Sequence, residues 1–536
     1  MSTLYFNAAF HTMDASSPPA EAMLVVGDRI AAIGSRAEVE AAGVRTARRV
    51  DLEGRAVIPG FNDCHCHILG IGLNLQQVDV SADAVRTIGD IQRAVRERAG
   101  GTPAGEWVLC RGYDQNTLAE RRHPTRSDLD GASDRHPVVL WHTSGHVLTA
   151  NGPALERAGV TAQTPDPPGG AIDRDEHGEP TGLLKESAMD LVGKVVPEPD
   201  LASGSEAIRQ AMALTASFGV TSATDAATGH GPSVEPELAM YRQAAESGLA
   251  GRMLLLPQIM YVAPPDSDDI RPPADFDAGN RPEWLAIEGT KIFSDGAMST
   301  RTAAMRKPYA EDPTNTGILL WPRETLVTMM RRAHAAGWQI ATHALGDRAV
   351  EVVLDCYAEA MAGETAHARR HRIEHCMVCD DGLGRGIRDL GIVPVLQPDI
   401  FRLGDGYITA LGLARAEEVI PMRVFESLGI RVAFSSDAPV VPCDPLLNIR
   451  SAVERVTPGG VTLGRHHAVP LMEAIRLYTA GGAHATHTDT ERGRLRPGFL
   501  ADFAVLSHDP AALPPEDLPD LRVLLTVTGG EETFRA

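Results

Sequence analysis

Cysteine is scarce in this chain, and the 7 present among 536 residues are odd in number. Such a count does not build a disulfide framework and fits a reducing compartment, so the cytoplasm is the expected location. Long apolar runs are missing too. No stretch of roughly eighteen consecutive apolar residues occurs, which argues against a membrane span. The opening MSTLYFNAAFHTMDASS lacks the basic-then-apolar order of a signal peptide. Basic charge is in deficit: 50 Lys and Arg face 71 Asp and Glu, a formal net charge of −21. A surface of that sign repels phosphate backbones and anionic lipid, so neither nucleic acid nor membrane is an expected partner. A Gly-x-Ser-x-Gly elbow and a P-loop are lacking, which leaves serine-hydrolase and nucleoside-triphosphatase readings without a motif. Low-complexity tracts and solenoid-type repeats are absent as well.

What is present is a soluble, globular composition, with 43% apolar and 23% charged residues, on a chain long enough for more than one domain. The first stretch reads as short strands with turns (LYFNAAFHTM, AMLVVGDRIAAIGS, RRVDLEGRAVIPG), with Gly27-Asp28 as a hairpin turn. The C-terminal stretch has the same texture in GRLRPGFLADFAVLS and LRVLLTVTGGEETF. Two β-rich ends predict one small sheet domain assembled from residues 1–58 and 485–536, flanking a region over 59–484.

That middle region repeats a helix–Gly–strand scheme. In RETLVTMMRRAHAAGWQIATHALGD, Leu326, Met329, Met330 and Ala333 keep helical spacing, Gly337 ends the helix and Trp338–His343 is the strand. Eight strands follow from this scheme: AVIPGFNDCHCH, VTSATDA, RMLLLPQIM, GTKIFSDG, WQIATHA, HRIEHC, IVPVLQP and RVAFSSDA. Eight apolar strands alternating with helices predict an α/β fold, a (β/α)₈ TIM-like barrel. The connection between the first and second strands, residues 70–202, is far longer than an ordinary loop, and its turn-rich tract at 161–182 predicts an inserted subdomain.

Active sites of such barrels lie at the C-terminal ends of the strands. Those ends read His65 and His67, Lys291, His343, His375 and Asp437, polar and metal-capable residues ending strands one, four, five, six and eight. Any one of them alone would be an ordinary cap; their joint occurrence points to a site. Strand alternation puts Asp63, His65 and His67 on one face and Cys64 and Cys66 on the other, so the cysteines are expected to pack rather than ligate. The second cysteine pair, Cys376 and Cys379, has C-x-x-C spacing but no second ligand pair to complete a structural zinc site.

These stretches, together with HPTRSDLD, PPGGAIDRDEHGEPTGLLKE, TKIFSDGAMSTRTAAM, ATHALGDRAV, SSDAPV and GFLADFAVL, resemble the amidohydrolase superfamily of metal-dependent hydrolases. Within it they are similar to the amidohydrolase family 3 branch that includes N-substituted formamide deformylase, and the resemblance implies that the domain built from both termini is a β-sandwich. The resemblance implies a binuclear site of two divalent metal ions, with Zn2+ suited to such ligands. His65, His67 and Asp437 would hold one metal, and His343 and His375 the other. Lys291 would bridge both as a carbamate, since an ammonium cannot bind a cation. Glu186, or Lys185 beside it, is a rival bridge, but it precedes the second strand, and the strand count favours Lys291.

The implied reaction is hydrolysis of a non-peptide amide C–N bond, in an N-substituted formamide or another N-acyl amine, by attack of a metal-bound hydroxide. Asp437 would serve as general base and then general acid. Asp295 and Arg301, in the loop directly after Lys291, and His146 and Tyr113, in the insertion, are the expected substrate contacts; the alternative for Asp295 and Arg301 is an ion pair that fixes the loop. His466 and His467 read as surface loop. A metal-dependent deaminase of a heterocycle is the competing enzyme reading. Deaminases of this superfamily are typically mononuclear, often with a glutamate soon after the fifth-strand histidine, where HALGD offers Asp347 instead. A non-catalytic metal-binding descendant would be expected to have lost a ligand, and all six positions are intact. The expected partner is a small-molecule amide, and the resemblance allows a homodimer.

Overall fold

The alternating apolar stretches of the N-terminal region form β1 (Ser2–Phe10), β2 (Ala20–Val26), β3 (Arg29–Gly34) and β4 (Arg48–Pro59), with the turn between β2 and β3 at Gly27. The computed structural model describes residues 2–14, 16, 17, 19–42, 47–82, 84–143, 147–167, 169–361 and 368–536. After β4 the chain runs through Gly60 into β5 (Phe61–Cys66), every residue of which is buried.

By its contacts the chain divides into two compact units, one of residues 1–71 and 204–536 and the other of 72–203. The second unit holds β6 (Val78–Asp79), β7 (Val108–Tyr113), β8 (Val138–His142), β9 (Val147–Ala150), β10 (Gly170–Arg174) and β11 (Pro180–Glu186). They form one six-stranded sheet in the order β10-β11-β9-β8-β7-β6. Its core has Val95, Val108, Leu129, Val138 and Leu140 on one side and Val139, Leu148, Leu155 and Leu184 on the other.

The first unit carries β12 (Val220–Thr228), β13 (Arg252–Pro257), β14 (Leu285–Ile287), β15 (Gly289–Phe293), β16 (Gln339–Ala344), β17 (Arg372–His375), β18 (Val393–Leu396) and β19 (Ala433–Phe434). With β5 they make two all-parallel sheets, β14-β13-β12-β5 and β15-β16-β17-β18-β19. The strand expected as GTKIFSDG is preceded by the separate β14, and the chain steps from one sheet to the other at Glu288. The last strand is shorter than RVAFSSDA suggests, so Asp437 stands beyond its end. Backbone hydrogen bonds from Asp437 N to His65 O and from His67 N to Ala438 O nevertheless tie this segment to β5. A parallel bridge between Gln258, just after β13, and Lys291 of β15 also links the two sheets.

Helices separate most of these strands as their periodicity predicts. The helix Arg323–Ala335 buries Leu326, Met329, Met330 and Ala333. Burial of each methionine contributes about 1.5–3 kcal/mol. Gly337, at φ +98°, then turns the chain into β16, a conformation that costs glycine little.

The C-terminal strands β20 (Phe503–Leu506), β21 (Val523–Thr528) and β22 (Glu531–Arg535) return to the N-terminal ones. One seven-stranded sheet results, in the order β22-β21-β20-β4-β1-β2-β3, with Tyr5, Met23, Val57, Phe503, Val505 and Val527 in its core. All seven cysteines are free and buried. Among the described residues no helix is long and apolar enough to cross a membrane.

Candidate metal centre

Strand β5 begins the site, and its register is held from both sides. Asp63 accepts hydrogen bonds from Ser436 N (2.9 Å) and Ser436 Oγ (2.6 Å), its carboxyl pushed up to about 6 by burial. The cysteines between the polar residues point elsewhere. Cys64 packs with Val393, Val395, Ala433 and Ala485 and donates to Phe434 O; Cys66 donates to Thr224 O. Burial pushes the Cys64 thiol up to about 12 and raises that of Cys66 well above its ordinary range, so neither offers a thiolate.

The residues at the strand ends converge. His65, His67 and Asp437 place one potential ligand atom each within 4.8 Å of one another. Asp437 Oδ1 lies 3.2 Å from His67 Nε2 and 3.3 Å from His65 Nε2, and its Oδ2 lies 4.0 Å from His375 Nδ1. Burial favours the neutral acid, but the adjacent His65 and His67 side chains, with His375 close by, outweigh it and hold this carboxyl well below its ordinary range. The ring centroids of His65 and His375 are 4.9 Å apart, and those of His343 and His375 4.6 Å. Two of these residues hold left-handed backbone, His375 at φ +75° and Asp437 at φ +63°. Non-glycine residues in that region cost of order 1–3 kcal/mol and cluster at functional sites.

The histidines are oriented by acceptors. His65 Nδ1 meets the Glu374 carboxylate, His375 Nδ1 donates to Gln397 Oε1 (2.8 Å) and His343 Nε2 donates to Gly296 O (3.1 Å). Gln397 presents its oxygen because its Nε2 donates to Ser435 Oγ and Val395 O. Burial drives His375 down to about 3 and His343 well below its ordinary value, so these rings are neutral. Nε2 of His65 and His375 and Nδ1 of His343 are thereby left as lone-pair donors, the tautomers a metal requires. The donor set, imidazole nitrogen and carboxylate oxygen, fits divalent zinc, manganese, iron or cobalt.

Lys291 sits among them, 1% exposed, with Nζ 3.4 Å from His65 Nε2 and 4.8 Å from the centroid of the Phe293 ring. It has no ion-pair partner among the described residues, and burial lowers its ammonium to about 8.

The sequence profile of the amidohydrolase family matches residues 48–534. The chain belongs to the amidohydrolase family. It is 32% identical to YtcJ of Bacillus subtilis (strain 168), over 100% of this chain and 99% of that one. It is 30% identical to N-substituted formamide deformylase of Arthrobacter pascens, over 98% of this chain and 97% of that one. An uncharacterized metal-dependent hydrolase from Pyrococcus furiosus has a similar structure, with a TM-score of 0.77 at 26% identity, covering 95% of this chain and 100% of the other. The fold of this amidohydrolase is accordingly α/β and TIM-barrel-like.

The remaining expected site residues of the amidohydrolase are placed differently. Asp295 is buried and its carboxylate is fully engaged, accepting from Ala304 N (2.9 Å), Leu345 N (3.1 Å) and Gly346 N (3.1 Å), with His343 Nε2 3.6 Å away. Burial pushes it up to about 7. It staples the loop after β15 to the end of β16 rather than facing a substrate. Gly346 permits the same approach, since a Cβ there would stand 1.9 Å from Ala304 O. Arg301 pairs not with Asp295 but with Glu311, and donates to Met298 O and Ser299 O.

Tyr113 is enclosed in the core of the 72–203 unit, its hydroxyl bonded to His123 and Thr149; this is a packing position, not a lining one. His146 lies outside the described residues. Glu186, the rival bridge, is exposed at the end of β11. His467 is buried rather than on the surface, and with His466 it faces Glu418. His467 Nδ1 accepts from Arg423 N, so its Nε2 carries the proton and donates to Glu418; that tautomer does not suit a metal. Sequence reasoning missed Glu374, Arg372 and Gln397, and the only trace of the first two was the RIEH run around His375.

Proposed function

We propose that this amidohydrolase binds two divalent metal ions, with zinc the best match, and hydrolyses a non-peptide amide C–N bond. The proposed substrates are N-substituted formamides or other N-acyl amines. The observation that carries the reading is the convergence of His65, His67, His343, His375, Asp437 and Lys291, with three imidazoles held in ligand-competent tautomers. His65, His67 and Asp437 would hold one ion, and His343 and His375 the other. Lys291 would bridge them as a carbamate; its burial without an ion-pair partner among the described residues favours the neutral amine that adds CO2.

Bound there, the metal supplies a Lewis acid for the substrate carbonyl and acidifies water. The protein supplies the proton traffic. Asp437 takes the proton released as water attacks the carbonyl carbon and returns it to the nitrogen as the C–N bond breaks. The products are a carboxylic acid, formate in the case of a formamide, and an amine. The similarity to N-substituted formamide deformylase supports formamides as the first substrates to try.

The test is amine release from a panel of N-substituted formamides and longer N-acyl amines, with aminoheterocycles alongside and metal content measured in parallel. Amine release with about two metal equivalents per chain is expected. Silence on every amide together with ammonia release from an aminoheterocycle would replace the reading with deamination, and protein purified with near-zero metal that takes up none would end it.

A further inference from the structure

Resting on that metal-centre reading, we propose that Glu374 is a positioning residue for metal binding, holding His65 in its Nδ1–H tautomer, and that Arg372 holds Glu374 in turn. The three side chains form a buried relay, His65 being 1% exposed and Glu374 and Arg372 0%. Arg372 grips the carboxylate with two donors, Nε to Oε1 at 2.7 Å and Nη2 to Oε2 at 2.8 Å. The same Nη2 donates to Cys64 O at 2.7 Å, the carbonyl immediately before His65. Arg372 therefore fixes both the backbone that carries the histidine and the carboxylate that orients its ring.

The arrangement spans strands that do not pair with each other, since β18 and β19 lie between β17 and the chain segment tied to β5. Strand alternation puts Arg372 and Glu374 on one face of β17 and would send His375 to the other. The left-handed backbone at His375 breaks that alternation, so consecutive residues reach the same imidazole: Glu374 bonds it and the His375 ring stands 4.9 Å from it. A carboxylate that served only to neutralise Arg372 would not need to contact His65 Nδ1. An anionic acceptor there fixes the tautomer and makes Nε2 a stronger donor to a metal, and loss of such partners weakens metal affinity about 10–100-fold.

The test is a chelator-competition titration of the metal-depleted, full-length protein with Zn2+, together with the visible absorption spectrum of the Co2+ form. Glu374→Asp keeps the charge and the Arg372 partnership but draws the carboxylate back by one methylene. The double variant R372M/E374Q removes both charges together and leaves no lone buried ion. Both are expected to weaken Zn2+ binding about 10–100-fold and to alter the Co2+ spectrum, with wild-type circular dichroism. Wild-type affinity and spectrum in Glu374→Asp, or wild-type affinity in the double variant, overturn the role. A wild-type protein that takes up no Zn2+ overturns the metal-centre reading itself, an outcome distinct from uptake that the variants leave unchanged.

Discussion

Replacing Asp437 by asparagine separates its chemistry from its geometry. Asp437 holds φ +63°, and asparagine is the residue that matches it in size and tolerates left-handed backbone comparably. The substitution therefore leaves the chain path intact while removing a carboxylate that stands 3.2 Å from His67 Nε2 and 3.3 Å from His65 Nε2. An amide cannot take the proton from attacking water or return it to the leaving nitrogen. General acid–base catalysis of this kind contributes about 10²–10⁴-fold, which at 1.36 kcal/mol per tenfold is a rise in barrier of about 2.7–5.4 kcal/mol. The assay is kcat for amine release at saturating metal, with metal content measured on the same samples. A kcat within tenfold of wild type, in Asp437→Asn protein that retains its metal, would refute the assignment of proton transfer to this residue.

Cys64→Ala and Cys66→Ala should leave metal stoichiometry and kcat/KM unchanged while lowering stability by about 1 kcal/mol each, the scale of removing one buried heavy atom; metal loss in either variant would show that the thiols do bind. Asp295→Ala strips three backbone N–H groups of a shared acceptor. Leaving a buried donor unsatisfied costs about 1–3 kcal/mol, so a loss of about 3–9 kcal/mol is expected for the three, with new proteolytic cleavage between residues 294 and 304. Unfolding and proteolysis indistinguishable from wild type would sink the view that Asp295 staples this loop.

The convergence of the ligand candidates was legible because it rests on two rules that a strand obeys: alternate residues share a face, and the strands of one parallel set end together. His65 and His67 follow the first rule, and His343 and Lys291 follow the second. Glu374 was hidden because the same alternation, applied to RIEH, separates it from His375; the positive φ that reunites them leaves no periodic trace. The step between sheets at Glu288 is equally silent, since that single residue is all that separates β14 from β15. Arg301 finds its partner ten residues on, at Glu311, through a loop path that no spacing encodes. Tyr113 was expected at the pocket from its place in the insertion, yet its ring fills the core of the 72–203 unit.

The seven-stranded sheet has a consequence for how the protein is made. β4 lies between β1 and β20, and Pro59 pairs with Phe503, about 440 residues later in the chain. At ~5–20 residues per second of synthesis, the open side of β4 waits roughly 20–90 s for its neighbour. Only Gly60 separates β4 from β5, the strand that carries His65 and His67. A nascent chain thus exposes an unpaired strand edge next to its future ligands, which is where pairing with another copy is most easily seeded. Slow or stalled synthesis lengthens that exposure in proportion.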